Sequence, residues 1–132
     1  MPLTLLCFIF ALLVVAQADM TPLQLMDACN KESGITKEEL QQYFDSQMDP
    51  AKATNAIKCH MKCVSEKLGF YKNNMLDDTL TIKYLNENNM APKASVNNVK
   101  QSIQKCNQMK GANTCDTAYQ IMTCFKSQPI FT

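Results

Sequence analysis

The sequence contains no arginine. Its 13 basic residues are all lysines, set against 12 acidic residues for a net charge of +1. A near-neutral chain without guanidinium forks is poorly equipped to grip a phosphate backbone, so nucleic acid is not an expected partner. Tryptophan is absent and there is one histidine, which leaves few means for base stacking or general acid–base chemistry. With no glycine-rich phosphate loop, no nucleophile elbow and no second histidine, the sequence does not read as an enzyme. Three glycines and five prolines exclude collagenous and low-complexity chains. No Asn-x-Ser/Thr acceptor for glycosylation occurs. No segment alternates with period two over β-branched residues, so no sheet is expected. Cysteine, by contrast, is plentiful at seven.

Residues 1–18 read MPLTLLCFIFALLVVAQA. Leu3 to Val15 is almost wholly apolar, the length of a signal-peptide core and too short to span a bilayer. Ala16-Gln17-Ala18 supplies the small-x-small cleavage pattern, so residues 1–18 are expected to be removed and residues 19–132 to form one domain. The segment departs from the usual pattern in lacking a lysine ahead of its apolar core. A membrane anchor is the alternative reading, but no stop-transfer flank follows. Cys7 leaves with the signal. The mature chain then holds Cys29, Cys59, Cys63, Cys106, Cys115 and Cys124, an even count that reads as three disulfides in an exported protein.

The rest punctuates itself as helices. Gly34, Gly69 and Gly111 each follow a stretch of helical spacing, as left-handed C-terminal caps do. Thr21-Pro22, Thr36 with Glu39, Asp49-Pro50, Ser95, and Asn113 or Thr114 supply start signals. The spacing predicts six helices, near 22–33, 37–47, 50–68, 79–89, 96–110 and 114–127. Val96, Val99, Ile103 and Cys106 form one apolar stripe. Charged and amide residues such as Glu32, Lys37, Gln41, Asn97 and Lys100 read as solvated surface. The fold class is therefore all-α, with no internal repeat or linker.

The cysteine gaps are x29, x3, x42, x8 and x8. Cys59 and Cys63 lie four apart on one helix, and bonding them to each other would distort the turn. Cys115 and Cys124 lie nine apart, about 13 Å along the axis and on opposite sides, so they pair elsewhere too. Each exclusion removes three of the fifteen connectivities, one of them shared, and ten remain open. A zinc site at Cys59, His60 and Cys63 is disfavoured. His60 is turned about 100° from Cys59 on the helix, and x3 is not the usual knuckle spacing. No metal and no cofactor are expected.

That spacing, behind a signal segment in an all-helical chain of this length, resembles the insect odorant-binding proteins of the six-cysteine pheromone and general odorant-binding type. Lys58-Cys59-His60-Met61-Lys62-Cys63-Val64 and Ala118-Tyr119-Gln120-Ile121-Met122-Thr123-Cys124-Phe125 carry the resemblance locally. It implies the pairs Cys29–Cys63, Cys59–Cys115 and Cys106–Cys124. It also implies a bundle of about six helices around an apolar cavity, which carries small hydrophobic molecules such as odorants or pheromones through aqueous fluid.

Eight methionines remain in the mature chain, and methionine suits surfaces that repack around varied ligands. Candidate lining residues are Met61 and Val64 on the third helix, and Phe70, Tyr71, Met75 and Leu76 after Gly69. Leu80, Tyr84, Val99, Ile103, Tyr119 and Met122 follow, with Ile130 and Phe131 in a tail expected to fold back over the pocket. Tyr84 or Tyr119 is the expected polar handle. Some alcohol-binding relatives place a hydroxyl residue between the two cysteines of the third helix. Met61 stands there, which favours a more apolar ligand than a short alcohol. His60, between Lys58 and Lys62, reads as a surface residue, with a pH switch as the alternative.

The expected function is a secreted, extracellular carrier of small hydrophobic ligands, with no stable membrane association. An odorant receptor is a candidate partner, and a monomer or weak homodimer is the expected state. The alternatives are a general lipid or semiochemical carrier outside olfaction, and a helical secreted interaction protein.

Overall fold

The structure, a computed structural model, describes residues 20–131. The signal segment, its cleavage site at Ala18 and Cys7 lie outside the described residues.

Helix α1 (Pro22–Ser33) opens with a reciprocal cap. The Thr21 hydroxyl accepts from the Gln24 N–H at 3.2 Å and the Gln24 amide oxygen accepts from the Thr21 N–H at 3.1 Å, satisfying two donors the helix cannot. It stops at left-handed Gly34. Thr36 caps α2 (Lys37–Asp45). Thr54 caps α3 (Asn55–Leu68), which ends at Gly69 with φ 94°. A hairpin of β1 (Tyr71–Lys72) and β2 (Met75–Leu76) pairs Tyr71 with Leu76. Asp77, Ser95 and Asn113 then cap α4 (Asp78–Glu87), α5 (Val96–Cys106) and α6 (Thr114–Lys126). The chain closes with a 3-10 turn at Pro129–Phe131. Among the described residues there are thus six α-helices.

Three expectations need correction. The helix expected over 50–68 is broken: Asp49-Pro50 starts only a 3-10 turn, Pro50–Lys52, and α3 begins after Thr54. The Thr54 hydroxyl takes the Ile57 N–H at 3.3 Å, and an N-cap residue holds extended, not helical, backbone. The hairpin is a sheet where none was expected. Strands of two residues are too short for an alternating pattern, and its signal lay in the turn, where Asn73 and Asn74 both take left-handed backbone. Gly111 is not a left-handed cap, because α5 ends earlier, at Cys106. Gly111 is there for space: a Cβ would fall 2.6 Å from the Thr117 backbone nitrogen, and its own N–H donates to the Thr117 hydroxyl at 2.9 Å.

Helix α3 is the hub, packed on α1 and on α6, while α5 packs on α4 and α6. Cys63 of α3 is bonded to Cys29 of α1, and Cys59 of α3 to Cys115 of α6. Cys106, at the end of α5, is bonded to Cys124 of α6. An ion pair stands beside the second bridge, Lys58 Nζ to Asp116 Oδ1 at 2.8 Å, with the ammonium 5.1 Å from the Tyr119 ring centre. The Lys58 hydrogen bond, with one from the Ala112 N–H, holds the Asp116 carboxyl below its ordinary range.

Two apolar clusters result. The larger joins the hairpin, α4, α5 and α6 through Tyr71, Leu76, Leu85, Val99, Ile103, Ala118, Ile121 and Phe125, and the tail residue Ile130 completes it. The smaller lies under α2 and α3 and consists of Ile35, Leu40, Tyr43 and Ile57, with Met26 and Met61 packed against it.

Candidate functional site

The smaller cluster does not close on itself. Beside it lies an apolar pocket of about 240 Å3, lined by Met26 of α1, by Leu40, Tyr43 and Phe44 of α2, by Met48, and by Ile57, His60, Met61, Val64 and Ser65 of α3. Helix geometry accounts for the α3 wall. Ile57, His60, Met61 and Val64 stand at i, i+3, i+4 and i+7, which is one face. Leu40, Tyr43 and Phe44 make the matching stripe on α2. Three thioethers and the half-exposed Phe44 and Met48 give the walls deformable side chains.

The rim is shaped by strained backbone. Gln47 and Met48 are consecutive residues at φ 59° and 56°, a conformation that costs non-glycine residues roughly 1–2 kcal/mol each. The turn is fixed by the Met48 N–H donating to the Tyr43 carbonyl at 3.1 Å, and by the Ser46 hydroxyl, which donates to that carbonyl at 2.6 Å and accepts from the Asp49 N–H at 3.2 Å. It brings Met48 back to the pocket. A wider cleft of about 610 Å3 shares Tyr43 and Ile57 with it and is otherwise lined by Glu39, Gln42, Asp45, Ser46, Lys52 and Thr54.

Three lining side chains carry polar atoms. The Ser65 hydroxyl donates to the Met61 carbonyl at 2.8 Å and lies 3.0 Å from Met122 Sδ. Burial, then a hydrogen bond with Tyr119, pushes the Tyr43 phenol up to about 12. His60 is only 3% exposed, which corrects its reading as a surface residue. Its place in the Ile57–Val64 stripe outweighs its two lysine neighbours. Burial lowers its pKa, against an opposing hydrogen bond to the Cys29 backbone, and its Nδ1 is buried without a partner.

Of the residues singled out from the sequence, Met61 and Val64 line this pocket. Tyr119 and Met122 reach its wall from behind, through Tyr43 and Ser65. Tyr71, Leu76, Val99, Ile103 and Ile130 are buried in the larger cluster, with Phe70 and Phe131 packed on it. Tyr84 of α4 lies against Phe70, ring centres 4.7 Å apart. Leu80 is half-buried on the same helix, and Met75 is half-exposed in the hairpin. The tail folds back, but onto α6 and the α4–α5 connection. Phe131 packs edge-on to Phe125 at 5.3 Å, and the Lys93 N–H donates to the Ile130 carbonyl at 3.0 Å. The residues missed were Met26, Leu40, Tyr43, Phe44, Met48, Ile57, His60 and Ser65. The two helical stripes were the signal that marks most of them.

Among the described residues no helix is long and apolar enough to cross a membrane, and no cluster of three or more histidine, cysteine or acidic side chains could hold a metal ion.

The chain is 30% identical over 104 residues to general odorant-binding protein 56a of Drosophila melanogaster, covering 79% of this chain and 70% of that protein. Its fold matches a fatty acid binding protein, OBP56a, from the oral disk of the blowfly Phormia regina. The TM-score is 0.62 and the identity 27%, over 82% of this chain and 93% of the other. The model of the PBP/GOBP family matches residues 14–128. The chain therefore belongs to the PBP/GOBP family, whose members are odorant-binding carriers and not enzymes.

Proposed function

We propose that this protein is a secreted carrier that takes a small hydrophobic molecule, an odorant, pheromone or related lipophilic compound, into the pocket between α1, α2 and α3. The observation that carries the reading is the pocket's chemistry: about 240 Å3 walled by methionine, aromatic and aliphatic side chains. Such a surface gains roughly 25 cal/mol for each Å2 of apolar area removed from water, and it offers no charge to orient a polar substrate. Met61 and Val64 contact the ligand from α3. The apolar segment at residues 1–18 directs export. A carrier role outside olfaction is the second reading, favoured by the blowfly relative, which is named for fatty acids and comes from the oral disk.

The test is saturable binding of an environment-sensitive apolar fluorophore. One site per chain is expected, with displacement by aliphatic compounds. Val64→Trp puts a bulky ring into the pocket and should weaken probe binding at least tenfold while the far-ultraviolet circular dichroism stays helical. Probe affinity unmoved by Val64→Trp would remove the ligand from this pocket.

A further inference from the structure

All six cysteines of the described residues are paired in the three bridges, so no free thiol stands among them to meet an oxidant first. The sulfur left to oxidise is thioether, and the pocket holds three, Met26, Met48 and Met61. They are not equally open. Met26 and Met61 are half-buried and packed on the smaller cluster, whereas Met48 at the rim is 40% exposed. Met20, Met75, Met90 and Met109 are exposed too, but none of them lines the pocket. Among the described methionines, Met48 alone combines an open side chain with a place in the wall.

Met48 also sits where the backbone is strained. It and Gln47 both hold left-handed φ, and such a conformation lasts only while its surroundings over-determine it. Three things hold this one. The Met48 N–H donates to the Tyr43 carbonyl. The Ser46 hydroxyl links that carbonyl to the Asp49 N–H. The third is the packing of the Met48 side chain itself in the apolar wall. Only the third depends on the sulfur staying apolar.

We infer that Met48 is a modification site through which a peroxide controls the pocket: oxidation of its thioether to the sulfoxide unloads the apolar ligand. The inference rests on the pocket being the ligand site. Hydrogen peroxide is the oxidant, and the step balances. A sulfur lone pair attacks one peroxide oxygen and the O–O bond breaks. The attacked oxygen stays on sulfur, and its proton passes to the departing hydroxide, which leaves as water. Sulfur is oxidised by two electrons and the peroxide reduced by two. The product changes the wall in kind, because a flexible apolar side chain becomes a polar one with a new acceptor oxygen. Kept in the wall, that oxygen faces apolar side chains unpaired. Turned out to water, it takes the rim's cover with it and leaves the strained turn without its packing. Both arrangements bind an apolar guest less well.

Graded hydrogen peroxide followed by peptide mass mapping should add oxygen at Met48 ahead of Met26 and Met61. Protein oxidised at Met48 with those two intact should bind the apolar fluorophore roughly tenfold more weakly, with its far-ultraviolet circular dichroism still helical, and methionine sulfoxide reductase should restore the affinity. Met48→Leu should keep the wild-type affinity and hold it through the same treatment, although Met20, Met75, Met90 and Met109 oxidise as before. Met48→Gln, which places a polar group there without peroxide, should bind as weakly as the sulfoxide. Oxidation of Met26 or Met61 ahead of Met48 would overturn the inference. So would a fully oxidised Met48 with unmoved affinity, or a Met48→Leu protein that loses affinity on oxidation as the wild type does. Val64→Trp keeps the two readings apart. A fluorophore that it weakens sits in the pocket, so those results bear on Met48 alone, whereas a fluorophore that it leaves unmoved overturns the pocket as the ligand site.

Discussion

At the scale of single residues, His60 couples the pocket to stability. Its folded pKa lies below the ordinary 6.5 because the ring is buried. The unfolded chain therefore takes up the proton first as pH falls. The contribution to stability is fully present above 6.5. It declines as pH drops through that value toward the lowered folded pKa, and is constant below it. Asp116, with its carboxyl held low by Lys58, works the other way round: its contribution is present above its unfolded value near 3.8 and is lost only at more acid pH. As pH falls the His60 window opens first, near 6.5, and that of Asp116 only near 3.8. The urea midpoint should fall between about pH 7.5 and about pH 5.5, a range in which ordinary carboxylates do not titrate. In His60→Phe that part of the slope should vanish. A wild-type midpoint that is flat across this range would mean that the ring is not buried in solution. The same residue shows a limit of reading by neighbours. Two flanking lysines suggest water, whereas the stripe Ile57, His60, Met61, Val64 assigns the ring to the interior, and the stripe decides.

At the scale of elements, helix starts are legible because a cap is a local event. Thr21, Thr36, Ser95 and Asn113 each satisfy a nearby N–H with their own side chain, and the chain's letters suffice to find them. The glycines were legible only in part, because one letter serves two purposes. Gly34 and Gly69 hold left-handed backbone with open space around them, whereas Gly111 has no such φ and is crowded by Asp116 and Thr117. The first purpose is local and the second depends on a neighbour six residues on. Gly69→Ala should cost about 1–2 kcal/mol, the backbone penalty alone, and leave the α3 helix in place. Gly111→Ala should cost as much or more by pushing the start of α6 away, and should also weaken the Lys58–Asp116 pair beside it. Chemical denaturation of the two variants, with Lys58→Met as a second background, separates the cases: coupling to Lys58 is expected for Gly111→Ala and absent for Gly69→Ala. Additive effects in both would show the crowding at Gly111 to be harmless. The hairpin was not legible, since two paired residues per strand leave no period to find. The pocket was legible only as a stripe. Inward-facing periodicity marks Val99 and Ile103 as strongly as Met61 and Val64, and nothing local says which of two apolar clusters stays open.

At the scale of the molecule, the covalent braces are unevenly placed. Three bridges tie α1 to α3, α3 to α6 and α6 to α5, each shrinking the unfolded ensemble by roughly 3–4 kcal/mol on the chain-entropy account. Helix α2 has no cysteine. It is held by Leu40 and Tyr43 against α3, and it ends in the strained Gln47-Met48 turn. Yet α2 is one of the three walls of the pocket and carries the half-exposed Phe44 at its rim. On the proposed reading of the pocket, the least braced wall is the one through which a ligand would enter. Local openings are drawn from the weakly held parts of a structure, so α2 is the element expected to swing while α1, α3 and α6 stay fixed. Amide hydrogen exchange tests this directly. Backbone amides of residues 40–45 should exchange well ahead of those in the middle of α3, and adding a bound aliphatic ligand should slow α2 more than any other helix, because the ligand bridges Tyr43 and Phe44 to the α3 face. Equal protection of α2 and α3 in the free protein would place the way in elsewhere. A ligand that slowed α4 and α5 instead would move the site to the larger cluster, where Val99 and Ile103 stand.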